Sequence, residues 1–148
     1  MPLLRFEAML TDIVRQFQAG GVDANGQVPE RHISDGNGVP CRHCLTGVAE
    51  GEPYLILAYR PFPEPQPYAE VGPIFLHANE CRRYDGDGVP PMFLDWERLL
   101  IRGYGDDDRI VYGTGRVVST SELVSEAARL LERDDVTCVH VRSASNNC

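Results

Sequence analysis

The chain has 148 residues and a formal net charge of −8, and all 14 of its basic side chains are arginine. Without lysine it cannot form a Schiff base, place a phosphate-loop lysine on a nucleotide or use a serine–lysine pair. An acidic chain without a long basic run also lacks the cationic surface that nucleic acids and anionic membranes need, so we expect neither as a partner.

The first half of the chain is predicted to contain one helix and three strands. Near-alternation of apolar and charged residues is typical of an edge strand. Apolar residues at helical spacing precede Gly20-Gly21, which predicts a helix that ends there. Two continuous apolar runs have the length of buried strands. The predicted elements are an edge strand at Leu3–Met9, a helix at Thr11–Gln18, a long loop at Val22–Pro40, and strands at Tyr54–Tyr59 and Gly72–Ala78.

The second half is predicted to contain four strands and a second helix. Ser119 and Glu122 have the spacing of a capping box, and the apolar residues that follow mark one face of a helix ending near Arg133. The predicted strands are Arg98–Tyr104 and Arg109–Tyr112, which form a hairpin, then Arg116–Val118 and Val136–Arg142. We therefore expect an α+β fold with a mainly antiparallel sheet of about six strands and two helices.

Four residues have the spacing of a zinc site. Cys41 and Cys44 form a C-x2-C pair, and after 32 intervening residues His77 and Cys81 form an H-x3-C pair. Sulfur and imidazole ligands suit tetrahedral zinc, and one strand, a proline-rich return and a second strand would bring the pairs together. The sequence predicts a structural zinc site with these four ligands. If one is wrong, the substitutes are His43, Cys138 and His140.

Three other interpretations of these residues are open. The cysteines and histidines could simply pack in the core. A disulfide oxidoreductase is disfavoured because a polar, glycine-rich segment precedes Cys41 where a buried strand would be expected. In a zinc hydrolase or deaminase, Glu80 would be the acid/base, but the order of the two half-motifs is reversed and four protein ligands would close the metal to water.

A second group of residues is a candidate site for a small anionic ligand. On the last strand Cys138, His140 and Arg142 share one face, opposite Val139 and Val141. If the valines face the core, that face is left toward solvent or a groove, where arginine could bind a carboxylate or phosphate. The alternative is a polar network that only satisfies loops. The predicted ligand-binding residues are Arg60, Tyr68, Glu70, Arg102, His140 and Arg142, with Tyr104 nearby.

Length, the N-terminal sequence and the cysteine count lead to an expected domain organisation and location. About 150 residues can form one domain with a substantial core, so we expect a single domain over residues 1–148. Charged residues interrupt the N-terminal apolar stretch, and no run of 18 apolar residues exists. The five cysteines are an odd number, unlike a fully paired disulfide framework. We expect a cytoplasmic protein, and the oligomeric state is left without a prediction.

Several motifs occur together and in order from about Gly20 to Cys148. They are Pro40-Cys41-Arg42-His43-Cys44-Leu45, Ala58-Tyr59-Arg60-Pro61-Phe62, Pro67-Tyr68-Ala69-Glu70, Gly72-Pro73-Ile74-Phe75-Leu76 and Val139-His140-Val141-Arg142. In these motifs the chain resembles the bacterial family known as domain of unknown function 1203. The resemblance implies a small, single-domain bacterial protein without an assigned activity. It also implies that metal binding is not universal to the fold, because some members lack the second cysteine of the C-x2-C pair.

Overall fold

The computed structural model describes residues 4–146 and 148, and the chain divides into two compact units. The first unit contains Phe6–Pro61 and Val71–Met92. The second unit contains Phe62–Glu70 and Phe93–Cys148, together with the first residues of the chain. Each unit has its own three-stranded antiparallel sheet.

The α+β fold with two helices and six antiparallel strands is confirmed for the described residues. The elements are α1 (Thr11–Gln18), β1 (Glu30–Ile33), β2 (Pro53–Tyr59), β3 (Gly72–His77), β4 (Arg98–Tyr104), β5 (Arg116–Ser119), α2 (Leu123–Leu131) and β6 (Cys138–Ser143). Short 3₁₀ turns occupy Pro91–Asp95 and Thr120–Glu122. The strands are shared between two sheets, of order β1-β2-β3 and β5-β4-β6. Neither helix in this described part is long and apolar enough to cross a bilayer.

The core of the first unit lies under the central strand β2. Leu55 and Leu57 alternate inward on β2 and pair with Leu76 and Ile74 of β3, respectively, so that two strands supply one apolar face. Helix α1 adds Val14, which is completely buried in the same cluster. The sequence predicted β2 and β3 correctly because each is a continuous apolar run of strand length.

The second unit is built on β4, with β5 and β6 on either side and α2 packed against all three strands. Leu99 and Ile101 of β4 are completely buried, and α2 buries Leu123, Ala127 and Leu130. The predicted capping box between Ser119 and Glu122 is present at the start of the helical segment.

Three local predictions are wrong. Residues 4–10 form no strand, so the edge strand at Leu3–Met9 is absent over its described part, and Leu3 lies outside the described residues. The Arg109–Tyr112 strand is reduced to one bridge between Ile110 and Tyr104, and the strand that pairs with residues 98–101 of β4 is β5. Strand β1 lies inside the predicted loop Val22–Pro40; all four of its residues are exposed, so it has no apolar alternation to identify it.

We expect Gly103→Ala to destabilise the protein by about 1–3 kcal/mol, because overpacking forces neighbours out of their preferred positions. A Cβ at Gly103, within β4, would lie 3.0 Å from Cγ2 of Val136 and 3.2 Å from Oγ1 of Thr114. Gly72→Ala is the matched control, since a Cβ there meets nothing within 4 Å. Urea unfolding should show a loss only for Gly103→Ala; equal stability of the two variants would contradict the packing at β4.

Candidate functional site

A tight turn positions Cys41 and Cys44. Pro40 and Gly47 form an antiparallel bridge, and the Cys41 N–H donates to the Thr46 carbonyl at 2.9 Å. Leu45 has a positive φ of 58°, and its N–H donates back to the Cys41 carbonyl at 2.9 Å. The turn therefore folds the chain sharply between the two cysteines and Gly47.

The end of β3 and the loop after it position His77 and Cys81. Cys41 forms a parallel bridge with Phe75, which places the turn beside the strand that ends at His77. Helix α1 holds the loop through its side chains. Gln18 Nε2 donates to the His77 carbonyl at 2.9 Å, and Arg15 Nη2 donates to the Cys81 carbonyl at 3.0 Å.

The four predicted metal ligands come together. One ligand atom from each of Cys41, Cys44, His77 and Cys81 lies within 4.8 Å of all the others. The Cys41 and Cys81 sulfurs are 3.9 Å apart, and Cys44 Sγ is 3.4 Å from His77 Nδ1. Tetrahedral zinc with ordinary bond lengths separates two sulfurs by about 3.8 Å and a sulfur from a nitrogen by about 3.6 Å. The cluster therefore has the chemistry and the dimensions to hold a metal ion.

The atoms around the cluster orient it further. His77 turns Nδ1 toward Cys44, while its Nε2 lies 3.5 Å from Glu52 Oε2. A carboxylate on the far nitrogen of a histidine keeps the proton there and leaves the near nitrogen free to bind a metal. The His77 N–H donates to Cys41 Sγ at 3.3 Å, and Thr46 Oγ1 lies 3.0 Å from Cys44 Sγ.

Proton sharing among the three thiols spreads their pKa values. Contacts with the Cys41 and Cys81 thiols hold the pKa of Cys44 far below its usual range. Its contacts with Cys41 and Cys44 raise the pKa of Cys81 well above that range, and contact with Cys44 raises the pKa of Cys41. One thiolate is thus stabilised by two thiols, and removing the remaining protons requires a cation among the sulfurs.

His43 lies beside the cluster without belonging to it. The side chain is completely buried; Nδ1 is 3.0 Å from Cys81 Sγ, and Nε2 is 2.8 Å from Thr11 Oγ1. Burial, followed by the charge of Arg15, lowers the pKa of His43, which keeps the imidazole neutral. The other two substitute ligands, Cys138 and His140, lie on β6 in the second unit. Sequence spacing missed Glu52, because no motif connects it to the ligands, whereas His43 lies within the C-x2-C pair and was predicted as a substitute ligand.

Glu80, the acid/base of the hydrolase alternative, lies three residues after His77 and directly before Cys81, but its side chain is 82% exposed. Its Oε1 is 3.7 Å from Arg15 Nε on α1. The carboxylate therefore interacts with solvent and an arginine.

In the second unit, Glu70 accepts hydrogen bonds from two of the predicted arginines. Arg102 Nη2 and Arg142 Nη2 lie 2.6 and 2.7 Å from the same oxygen, Glu70 Oε1, and Tyr104 donates its hydroxyl to that oxygen at 3.3 Å. Burial works to raise the pKa of Glu70, but the hydrogen bond and charge of Arg142 and the charge of Arg102 outweigh it and lower the pKa. Glu70 is therefore ionised at neutral pH.

His140 forms the aromatic part of this group. Its ring stacks on Phe62 at 5.1 Å with an interplanar angle of 14°, and it lies 4.1 Å from the Tyr104 ring. Burial first, and then Arg142 and Arg102, lower the pKa of His140 to about 4. The expectation that this face of β6 is left toward solvent or a groove needs correction, since His140 packs against the Phe62 and Tyr104 rings and the Arg142 side chain is only 11% exposed.

Two predicted ligand-binding residues are placed differently. Tyr68 OH lies 2.7 Å from Tyr112 OH, and the Arg109 guanidinium lies over the Tyr68 ring at 5.6 Å. Arg60 directly follows β2 and belongs to the first unit. The arginine cluster, defined as Glu70, Arg102, Tyr104, His140 and Arg142, is contained in the second unit.

Comparison with known proteins gives one match. A family model described as "Protein of unknown function (DUF1203)" matches residues 38–148, which include both candidate sites. No curated protein matches the chain, and no solved structure matches it. The segment from Gly20 to Asn37, where the resemblance was expected to begin, lies before the matched range.

We expect the buried His140 to make stability fall between about pH 6.5 and about pH 4, because over that range the unfolded chain binds a proton that the folded chain does not. His140→Phe keeps a ring against Phe62 and Tyr104 but cannot be protonated. From about pH 7 to about pH 4.5, the wild type should lose roughly 2 kcal/mol more stability than this variant in urea unfolding. Parallel losses in the two proteins would contradict a neutral, buried His140.

Proposed function

We propose that this chain, which belongs to the DUF1203 family of unknown function, is a zinc-binding protein. Its Cys41, Cys44, His77 and Cys81 side chains hold a structural zinc ion. The observation that carries the proposal is that all four donor atoms lie within 4.8 Å of one another. The ion links the turn at Cys41 to the end of β3 and the loop beyond it.

The donor set favours zinc over the hard cations. Three sulfurs and one imidazole nitrogen are soft or borderline ligands, whereas magnesium and calcium bind oxygen. Zinc also has no geometric preference from its d electrons and accepts the tetrahedral arrangement that the sulfur–sulfur and sulfur–nitrogen distances match. None of the described cysteines forms a disulfide, which fits the reducing conditions expected of a cytoplasmic protein.

The contacts support a structural role more than a catalytic one. Four protein ligands fill the coordination sphere of a tetrahedral ion and leave no position for a reactive water. A zinc hydrolase that uses Glu80 is the alternative, but the exposed Glu80 carboxylate is directed to Arg15. Cys41 is completely buried within the core cluster of the first unit, so an ion bound there would join that core to the surrounding loops.

Protein purified without a chelator should contain about one equivalent of zinc, because the four ligands form one closed site. Cys44→Ser and His77→Ala should each contain less than half as much. Cys138→Ser is the matched control, since Cys138 is exposed on β6 and should keep the full zinc content. Mass spectrometry of the metal content decides the matter, and less than about half an equivalent in the wild type would overturn the proposal.

Glu52→Gln should weaken zinc binding by about 10–100-fold, because an amide holds the His77 ring in place less well than a carboxylate. The variant should still bind one equivalent when zinc is in excess. Glu50→Gln, which removes the same charge from an exposed neighbouring position, should bind zinc as the wild type does. Competition with a chromophoric chelator measures both affinities, and equal weakening would show that Glu52 acts only through net charge.

A further inference from the structure

The arginine cluster of the second unit has an excess of positive charge in partly buried surroundings. Arg102 and Arg142 carry two positive charges, Glu70 carries one negative charge, and His140 and Tyr104 are neutral at pH 7. The two arginine side chains are only 18% and 11% exposed. A group with a net charge of +1 is therefore held among the rings of an otherwise acidic protein.

The hydrogen bonding of the cluster is incomplete on the arginine side. Both arginines and Tyr104 converge on Glu70 Oε1, so neither guanidinium makes the two-point contact that a carboxylate can offer. Arg102 Nε is buried and has no hydrogen-bond partner among the described residues. A buried N–H donor of a charged group that lacks an acceptor destabilises the fold. The arginines therefore have hydrogen-bond donors that Glu70 does not satisfy.

Glu70 is the member of the cluster most easily displaced. It lies in a segment without regular secondary structure ahead of β3, and its side chain is 38% exposed. The arginines, in contrast, are anchored on the paired strands β4 and β6, where Arg102 lies opposite His140. A carboxylate tethered to a loop acts as an internal ligand with a high effective concentration, and a stronger free anion can replace it.

We propose that Arg102 and Arg142 form a binding site for a small dianionic ligand, a phosphate or a dicarboxylate, which binds by displacing the Glu70 carboxylate. Two negative charges in place of one neutralise the cluster, which a monoanion cannot do. The additional oxygen atoms of a dianion can also accept hydrogen bonds from guanidinium donors that Glu70 leaves unused. Arginine presents these donors in a planar arrangement that fits carboxylates and phosphates. The Tyr104 hydroxyl, which now donates to Glu70, would donate to the incoming anion.

The site is independent of the metal centre, because all its residues lie in the second unit and the proposed zinc ligands lie in the first. His140 helps to position the site. Its Nδ1 lies 3.5 Å from Arg142 Nη2, and its ring packs against Phe62 and Tyr104, which also contact each other.

The test is calorimetric titration at about pH 7, where His140 is neutral, with inorganic phosphate, succinate and acetate at ionic strength held constant with sodium chloride. The wild type should bind phosphate or succinate at least about ten-fold more tightly than acetate, and which of the two binds identifies the ligand class. Glu70→Gln removes the internal competitor while keeping a similar shape. It should lower the Kd for the dianion at least about ten-fold.

Glu126→Gln is the matched control. Glu126 Oε2 also contacts two arginines, Arg116 at 3.0 Å and Arg129 at 2.6 Å, but it lies on helix α2 and Arg129 is 58% exposed. This variant removes one negative charge from the same unit and should leave the Kd unchanged. Arg142→Met should abolish binding, with circular dichroism checking that it is folded.

Three results would overturn the proposal: no binding of either dianion to the wild type, no gain of affinity in Glu70→Gln, or an equal gain in Glu126→Gln. The second result counts even if Arg142→Met fails to fold, because Glu70→Gln keeps the hydrogen-bonding groups of the cluster.

Discussion

The close approach of three thiols and an imidazole is the constraint on which the first unit depends. The Cys41 and Cys81 sulfurs are 3.9 Å apart, so ionising all three thiols is costly without a nearby cation, and the pKa values of Cys44 and Cys81 are shifted in opposite directions. The turn at Cys41, the end of β3 and the α1 side chains that hold the following loop are all arranged so that these atoms meet. In the zinc site proposed above, the ion would offset the repulsion between the thiolates, and its binding would be coupled to removal of the thiol protons.

The second unit has the opposite electrostatic problem. The Arg102 and Arg142 guanidinium groups share one carboxylate oxygen of Glu70, and the neutral His140 adds no further charge. Arginine suits this position because its charge is permanent and its donors have a fixed, planar arrangement. Arginine is the only strongly basic residue type in this chain, and Arg102 and Arg142 are a place where its permanent, planar charge is used.

Predictions from sequence were correct where burial leaves a pattern in the residues. Continuous apolar runs of strand length identified β2 and β3, and the capping box identified the start of the helical segment at Ser119. Strand β1 has no such pattern because all its residues are exposed. The alternation of apolar and charged residues at Leu3–Met9 predicted a strand, but the described residues of this segment do not pair with any strand. The hairpin at Arg109–Tyr112 was wrong because only Ile110 bridges to β4, whereas β5 pairs with the opposite end of that strand, residues 98–101.

The sequence by itself determined the α+β class, the absence of lysine chemistry and the four residues of the candidate metal centre, because ligand type and spacing are local properties of the chain. Only the tertiary structure decided which groups surround those residues. Glu52 behind His77, His43 beside Cys81, and Glu70 between two arginines are contacts between segments far apart in sequence. Strand pairing and loop placement bring these side chains together, and residue spacing along the chain does not predict either of them.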